Sequence, residues 1–213
     1  MPAEAIKTDT YENEGLLNMP DGILHPGGYK LTERLLELAM LVPDARILDV
    51  GCGFGSSVAF LQKLGFAASG VDKSRTLLEH GRNRFPNLRL VESSAENMPF
   101  EDESFDAVLF ECSLSLMDVS ETLTEVLRIL RPNGTLLISD VFFQNEQEFG
   151  EVLLNKGFML THFEDISVVF EEFIAQVIMS TGSHNTLFDC EQWAEIIKAK
   201  PKYCLAIARQ RNG

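Results

Sequence analysis

Apolar residues recur along this chain in two alternating rhythms. Short continuous runs, Ile47 to Val50, Ala67 to Val71, Leu88 to Val91, Phe105 to Glu111 and Thr135 to Asp140, have the length and composition of buried parallel strands. Between them Leu31, Leu35, Leu38 and Val42, then Val58, Leu61 and Leu64, then Leu123, Val126, Leu127 and Leu130 recur at helical spacing. Helices are therefore predicted over Tyr29 to Met40, between Gly55 and Gly65, over Ser74 to Arg84 ahead of Pro86, and after Ser120, which can cap its helix. Arg131-Pro-Asn-Gly134 reads as a turn into the fifth strand. Strands alternating with helices at this spacing predict an α/β fold with a parallel sheet and right-handed crossovers.

The rhythm changes in the last third. Phe149, Val152 and Leu153 mark a short helix before Gly157, and Phe158 to Phe163 reads as a sixth strand. Phe170, Phe173, Ile174, Val177 and Ile178 form an amphipathic stripe, expected to be core. Asp189 with Gln192 resembles a capping box for a helix carrying Trp193, Ile196 and Ile197, and Tyr203 to Ala208 closes as a seventh strand. Residues 1–28 carry little periodicity and end in His25-Pro-Gly-Gly28. They read either as a flexible arm or as a lid that folds over a ligand.

The most informative stretch is Arg46-Ile-Leu-Asp-Val-Gly-Cys-Gly-Phe-Gly-Ser-Ser57, a strand, a turn with three alternate glycines, and a helix. Glycine lets such a turn be tight and lets a ligand lie against bare backbone near the helix N-terminus. In this strand–turn–helix context the pattern points to a nucleotide-type site. Asp72 lies 21 residues beyond Gly51, at the end of the second strand, where a carboxylate can accept both hydroxyls of a ribose. A nicotinamide enzyme would share that geometry. The turn, however, is G-x-G-x-G rather than G-x-G-x-x-G. Asp49, two residues before the first glycine, can meet an ammonium group, and little chain remains after the fifth strand for a separate substrate domain.

The bulk properties narrow the function. The chain has 213 residues, enough for one sizeable core, and a formal net charge of −14, which repels phosphate backbones and makes nucleic acid a poor partner. No apolar run approaches the ~20 residues of a membrane span. The first residues lack the pattern of a signal peptide, so no membrane partner is expected. Cys52, Cys112, Cys190 and Cys204 are scattered without a C-x-x-C, which fits a cytoplasmic protein with no metal site.

From Arg46 to Asp140 the chain resembles the class I methyltransferases that use S-adenosylmethionine, of the small-molecule type similar to the ubiquinone/menaquinone and arsenite enzymes. Asp49-Val-Gly-Cys-Gly-Phe-Gly55, Gly70-Val-Asp-Lys-Ser74, Ala95-Glu-Asn-Met-Pro-Phe100 with Ser104-Phe-Asp106, and Leu127 to Gly134 carry the resemblance. It implies a doubly wound, Rossmann-like sheet of seven strands, mostly parallel with the seventh antiparallel and helices on both faces. A single domain over 31–213 would follow an arm or lid at 1–30, with a helical insertion at about 164–200. It implies S-adenosylmethionine as cofactor and S-adenosylhomocysteine as product. Asp49 and the backbone of Gly51, Cys52 and Gly53 would hold the methionine end, Asp72 the ribose, with Lys73 flanking the adenine and Ser94 and Ala95 meeting its edge. The family often has Asp where this chain has Ser94. Glu111 and Cys112 would sit near the sulfonium.

The sulfonium is itself a strong electrophile, so the protein's main task is to align donor and acceptor and exclude water. His25 is the candidate base, brought close by Gly27 and Gly28, with Glu111 a second base or cation partner. Tyr11 and Tyr29 could wall an acceptor pocket together with Cys112. Cys52 and Cys112 are read as small buried thiols rather than ligands of a soft metalloid. The expected partner is a small molecule. The oligomeric state stays open, a homodimer included. A nicotinamide oxidoreductase and a protein that binds the cofactor without catalysis are the rival readings.

Overall fold

The computed structural model describes residues 25–142, 145–181 (side chains to 175) and 202–211. Tyr11, Cys190, the predicted helix around Trp193 and nearly all of the expected arm lie outside the described residues. A single seven-stranded sheet has the order β3-β2-β1-β4-β5-β7-β6. Its strands are β1 (Arg46–Val50), β2 (Ala67–Asp72), β3 (Leu90–Glu92), β4 (Phe105–Glu111), β5 (Leu130–Phe142), β6 (Phe158–Asp165) and β7 (Lys202–Gln210). The first five are parallel, and β7 runs antiparallel to both β5 and β6. The doubly wound, Rossmann-like sheet with an antiparallel seventh strand is thus as expected.

The helices are α1 (Tyr29–Ala39), α2 (Ser56–Lys63), α3 (Arg75–Arg84), α4 (Val119–Ile129), α5 (Glu146–Asn155) and α6 (Ser167–Thr181). On one face Leu35, Leu36, Val58, Leu61 and Leu78 from α1, α2 and α3 cover Ile47, Ala68, Leu109 and Leu137. On the other, Leu123, Val126, Ile129 and Leu153 from α4 and α5 cover Leu48, Val108, Leu136 and Ile138. Strands buried on both faces account for the unbroken apolar runs in the sequence.

Several predicted boundaries move, each for a local reason. The cap of α4 is Asp118, whose side chain accepts from Glu121 N at 2.9 Å, rather than Ser120. β3 starts at Leu90 because the turn after Pro86 continues through Leu88 N donating to Phe85 O. Arg131 to Gly134 do not precede β5 but loop out of it. Phe105 pairs with Leu130 and Ala107 with Thr135, so four residues bulge from the strand, and Asn133 turns with φ 65°. The stripe on α6 is only half-buried at Phe170, Phe173 and Ile174. Phe170 stacks on Tyr203 with ring centroids 5.6 Å apart. Val177 and Ile178 have side chains outside the described set.

Candidate functional site

Register places three acidic side chains at one edge of the sheet. β1 pairs Asp49 with Gly70 of β2 and with Leu109 of β4. Two residues further on, Asp72, Gly51 and Glu111 therefore stand level, an acid on either side of the glycine turn. Adjacent strands are ~4.8 Å apart, so the two outer backbones are separated by roughly 10 Å. One pocket spans this edge, and its walls include Asp49, Gly51, Cys52, Gly53, Asp72, Lys73, Ala95, Glu111, Cys112 and His25.

The turn is built on three positive φ angles, 75° at Gly51, 55° at Gly53 and 83° at Gly55. A Cβ on Gly51 would fall 2.5 Å from Ser113 Cβ, whereas one on Gly53 would meet nothing within 4 Å. Gly51 is thus needed for packing and Gly53 leaves space at the pocket wall. The backbone N–H groups of the turn have partners within the protein. Gly51 N and Cys52 N both donate to Val71 O, and Gly53 N donates to Asp72 Oδ2 at 2.8 Å. These N–H groups are thus used within the protein, and Cys52 O accepts from Gly55 N and Gly55 O from Ala59 N, each at 2.9 Å, so the Gly51 carbonyl and the bare Cα atoms remain for a ligand.

Asp72 accepts Gly53 N on one oxygen and Ser74 N on the other, each at 2.8 Å, which fixes the carboxylate plane and leaves further lone pairs. Burial raises its pKa while those two N–H groups lower it. Asp49 is 3% exposed and has no hydrogen-bond partner among the described residues. Its pKa is pushed well up, first by burial and then by Glu111 and Asp72.

Glu111 gathers three elements. Thr32 Oγ1 of α1 donates to Oε1 at 2.7 Å and Ser57 Oγ of α2 to Oε2 at 2.5 Å. His25 Nε2, in the turn before α1, lies 3.4 Å from Oε2, within ion-pair range but off hydrogen-bond geometry. Both ring nitrogens of His25 are buried and make no hydrogen bond among the described residues. Gly27 and Gly28, with φ 73° and 53°, make the turn that folds this histidine in. A Cβ on Gly27 would collide with Leu31 Cγ at 2.5 Å.

The floor beyond β4 is held by a network the sequence did not announce. Cys112 takes φ 54°. Asp140 accepts from Ser113 N at 2.9 Å and from Ser115 Oγ at 2.7 Å, while Ser113 Oγ donates to Val50 O at 2.6 Å. This fixes the short 3₁₀ turn Leu114–Leu116, and Leu116 and Met117 complete the apolar wall. Burial raises the pKa of Asp140, offset by hydrogen bonds from the Ser115 hydroxyl and from the backbone N–H groups of Val141, Ser115 and Leu114. The signals available were an acid at the end of the fifth strand and a serine-rich segment after the fourth.

Two sequence candidates stand elsewhere. Ser94 is exposed and is not part of the pocket wall, where Ser93, Ala95 and Glu96 stand instead, because the turn at 93–97 points it outward. Tyr29 stacks on Phe60 with centroids 4.2 Å apart, between α1 and α2, rather than lining the pocket. Cys52 and Cys112 do reach the pocket, but burial raises both thiol pKa values well up and keeps them protonated. No metal-binding group of His, Cys, Asp and Glu occurs among the described residues.

Residues 48–138 match the family described as a methyltransferase domain. Over that segment the chain is similar to methyltransferases. It is 38% identical over 117 residues to the uncharacterised methyltransferase YodH of Bacillus subtilis, a match covering 53% of this chain and 50% of that protein. It is 42% identical over 127 residues to phthiotriol/phenolphthiotriol dimycocerosates methyltransferase 1 of Mycobacterium ulcerans, covering 57% and 45%. The chain spans about half the length of the curated relatives it matches. Among solved structures, Haemonchus contortus phosphoethanolamine N-methyltransferase 2 bound to S-adenosylhomocysteine superposes with a TM-score of 0.75 at 18% identity, over 97% of this chain and 57% of that one. The [4+2]-cyclase SpnF superposes at 0.69 with 22% identity, over 86% and 81%. Those two likenesses carry the fold, the same mixed sheet.

Proposed function

We propose that this chain transfers a methyl group from S-adenosylmethionine to a small-molecule acceptor by in-line displacement. The observation that carries the reading is the pair of acids flanking the glycine turn, with a third, buried and unpartnered, beneath it. The cavity fits the donor on its own chemistry: an orphaned carboxylate for a cation, a braced carboxylate for a diol, and a bare turn between them.

When bound, S-adenosylmethionine supplies an electrophilic methyl on a cationic sulfur. Asp72, its plane fixed by Gly53 N and Ser74 N, accepts from both ribose hydroxyls. Asp49 and the Gly51 carbonyl receive the ammonium group. Ala95, with Lys73 at the rim, borders the adenine. Leu116 and Met117 exclude water at the acceptor side, so that the protein's contribution is alignment. His25, with a buried ring nitrogen free of partners and Glu111 beside it, takes the proton of an acceptor that must lose one.

The SpnF likeness favours a second reading, since that protein is named for cyclisation: the site holds the donor molecule without methyl transfer. The nicotinamide reading is disfavoured by the G-x-G-x-G turn. A cytoplasmic location is consistent with the scattered cysteines, and no helix of the described residues is long and apolar enough to cross a membrane. The arm at 1–30, a helical insertion at about 164–200, and a homodimer stay part of this proposal.

Parallel calorimetric titrations with S-adenosylmethionine and with NAD test the cofactor, followed by a screen of small-molecule acceptors for released S-adenosylhomocysteine. Binding of S-adenosylmethionine with turnover supports the proposal. Binding without turnover favours the second reading, and binding of NAD alone ends both.

A further inference from the structure

Among the described residues Glu111 is a buried carboxyl group with no lysine or arginine partner; His25 Nε2, 3.4 Å away, is charged only when protonated. The Glu111 side chain is 4% exposed, and its two hydrogen-bond donors, Thr32 and Ser57, are neutral hydroxyls. The titratable groups that face it are His25 from the turn before α1, Asp49 from β1 and its own neighbour Cys112. Among the described residues that line the pocket, Lys73, which follows Asp72 at the far side of the glycine turn, is the one lysine, and none is an arginine. Buried carboxylates in globular proteins are normally paired with a cation or metal. Here hydroxyls brace the group and orient it, and the compensating charge is left to the ligand.

Position along the edge divides the work. Asp72 and Glu111 stand level on opposite sides of Gly51, with Asp49 between them and two residues deeper. A ligand whose sugar lies on Asp72 and whose ammonium reaches Asp49 presents its sulfur centre toward β4, and its α-carboxylate is common to donor and product. That centre is the one feature in which the methyl donor and its spent form differ. The donor has a sulfonium there and the product a neutral thioether.

We propose that Glu111 selects the charged donor over its uncharged product, so that the chain binds S-adenosylmethionine in preference to S-adenosylhomocysteine and is only weakly inhibited by the latter. This rests on the reading of the pocket as an S-adenosylmethionine site. Loss of the methyl removes the charge that holds the ligand against Glu111, and the product leaves more readily than the donor does. Thr32 and Ser57 act as positioning residues, holding the carboxylate in place when no cation is present.

Calorimetry with three probes tests this: S-adenosylmethionine, S-adenosylhomocysteine, and sinefungin, whose amine stands where the donor has its sulfonium. The expectation is that the donor and sinefungin bind the wild-type protein about tenfold or more tighter than the thioether, the scale of one charge-assisted contact in a buried site. Glu111→Gln, which keeps the shape and an acceptor oxygen, should bring the three affinities to within about threefold of one another by weakening the two cationic ligands alone. Glu111→Asp, which keeps the charge, should retain the preference for the cations. A wild-type protein that binds the thioether as tightly as the donor overturns the proposal, as does an undiminished preference in Glu111→Gln. Failure of all three ligands to bind removes the cofactor reading itself and this inference with it.

Discussion

Exchanging Gly51 and Gly53 separately for alanine separates the two uses of the glycine turn. Both have positive φ, 75° and 55°, so either alanine takes on the left-handed penalty of about 1–2 kcal/mol. Only at Gly51 does the new methyl have a neighbour. It would lie 2.5 Å from Ser113 Cβ, 3.0 Å from Met117 Cε and 3.1 Å from Ser113 Oγ. Ser113 cannot yield freely, because its N–H is held by Asp140 and its hydroxyl by Val50 O. Overpacking of this kind adds about 1–3 kcal/mol. Gly51→Ala should therefore destabilise the fold by about 2–5 kcal/mol and Gly53→Ala by only about 1–2 kcal/mol. Urea denaturation followed by circular dichroism measures both, with unchanged m values showing that stability alone has moved. Equal destabilisation by the two alanines, or a larger effect at Gly53, would refute the assignment of Gly51 to packing against the β4 loop.

Asp72→Ala should weaken S-adenosylmethionine binding by about 1.5–3 kcal/mol, the range for hydrogen bonds to a charged group, and an unchanged dissociation constant would remove the ribose from that residue. Asp49 has its folded pKa raised by burial, Glu111 and Asp72, so the folded apoprotein holds a proton that the unfolded chain has released. Its contribution to stability therefore declines as pH rises from the ordinary carboxyl range, about 4, through the raised folded value. Asp49→Asn should accordingly melt higher than wild type at neutral pH, with the gap closing as pH falls toward 4. Donor affinity should move the opposite way, falling as pH drops through the same raised value because the ammonium requires the ionised form; pH-independent calorimetry contradicts this. Asp140→Ala leaves Ser113 N–H and Ser115 without their acceptor and should cost about 1–3 kcal/mol, read by urea denaturation, with protease cleavage near 113–117 rising ahead of global unfolding.

The parallel part of the sheet was legible because its strands are buried on both faces and read as unbroken apolar runs separated by helical spacing. Asp49, Gly51 and Asp72 were legible for a related reason, since a strand followed by a glycine turn fixes which residues come to the sheet edge. What stayed hidden depends on contacts between distant segments. Thr32 lies mid-helix on α1, and nothing local shows that its hydroxyl reaches Glu111, 79 residues away. The four-residue bulge in β5 shows only when Leu130 is seen to pair with Phe105, since Arg-Pro-Asn-Gly has the composition of an ordinary turn. Tyr29 could wall a pocket or pack, and sequence does not separate the two; the first turn of α1 sets it on Phe60. At 93–97 the choice between Ser93 and Ser94 depends on which way a turn faces, and composition does not encode that.

The most direct test of the account is a crystal structure of the protein grown with S-adenosylhomocysteine. The account predicts the sugar hydroxyls within hydrogen-bond distance of Asp72, the amino group at Asp49, and the sulfur on the β4 side, facing Glu111. A ligand seated with its sugar away from Asp72, or a glycine turn closed to it at saturating concentration, would contradict that claim.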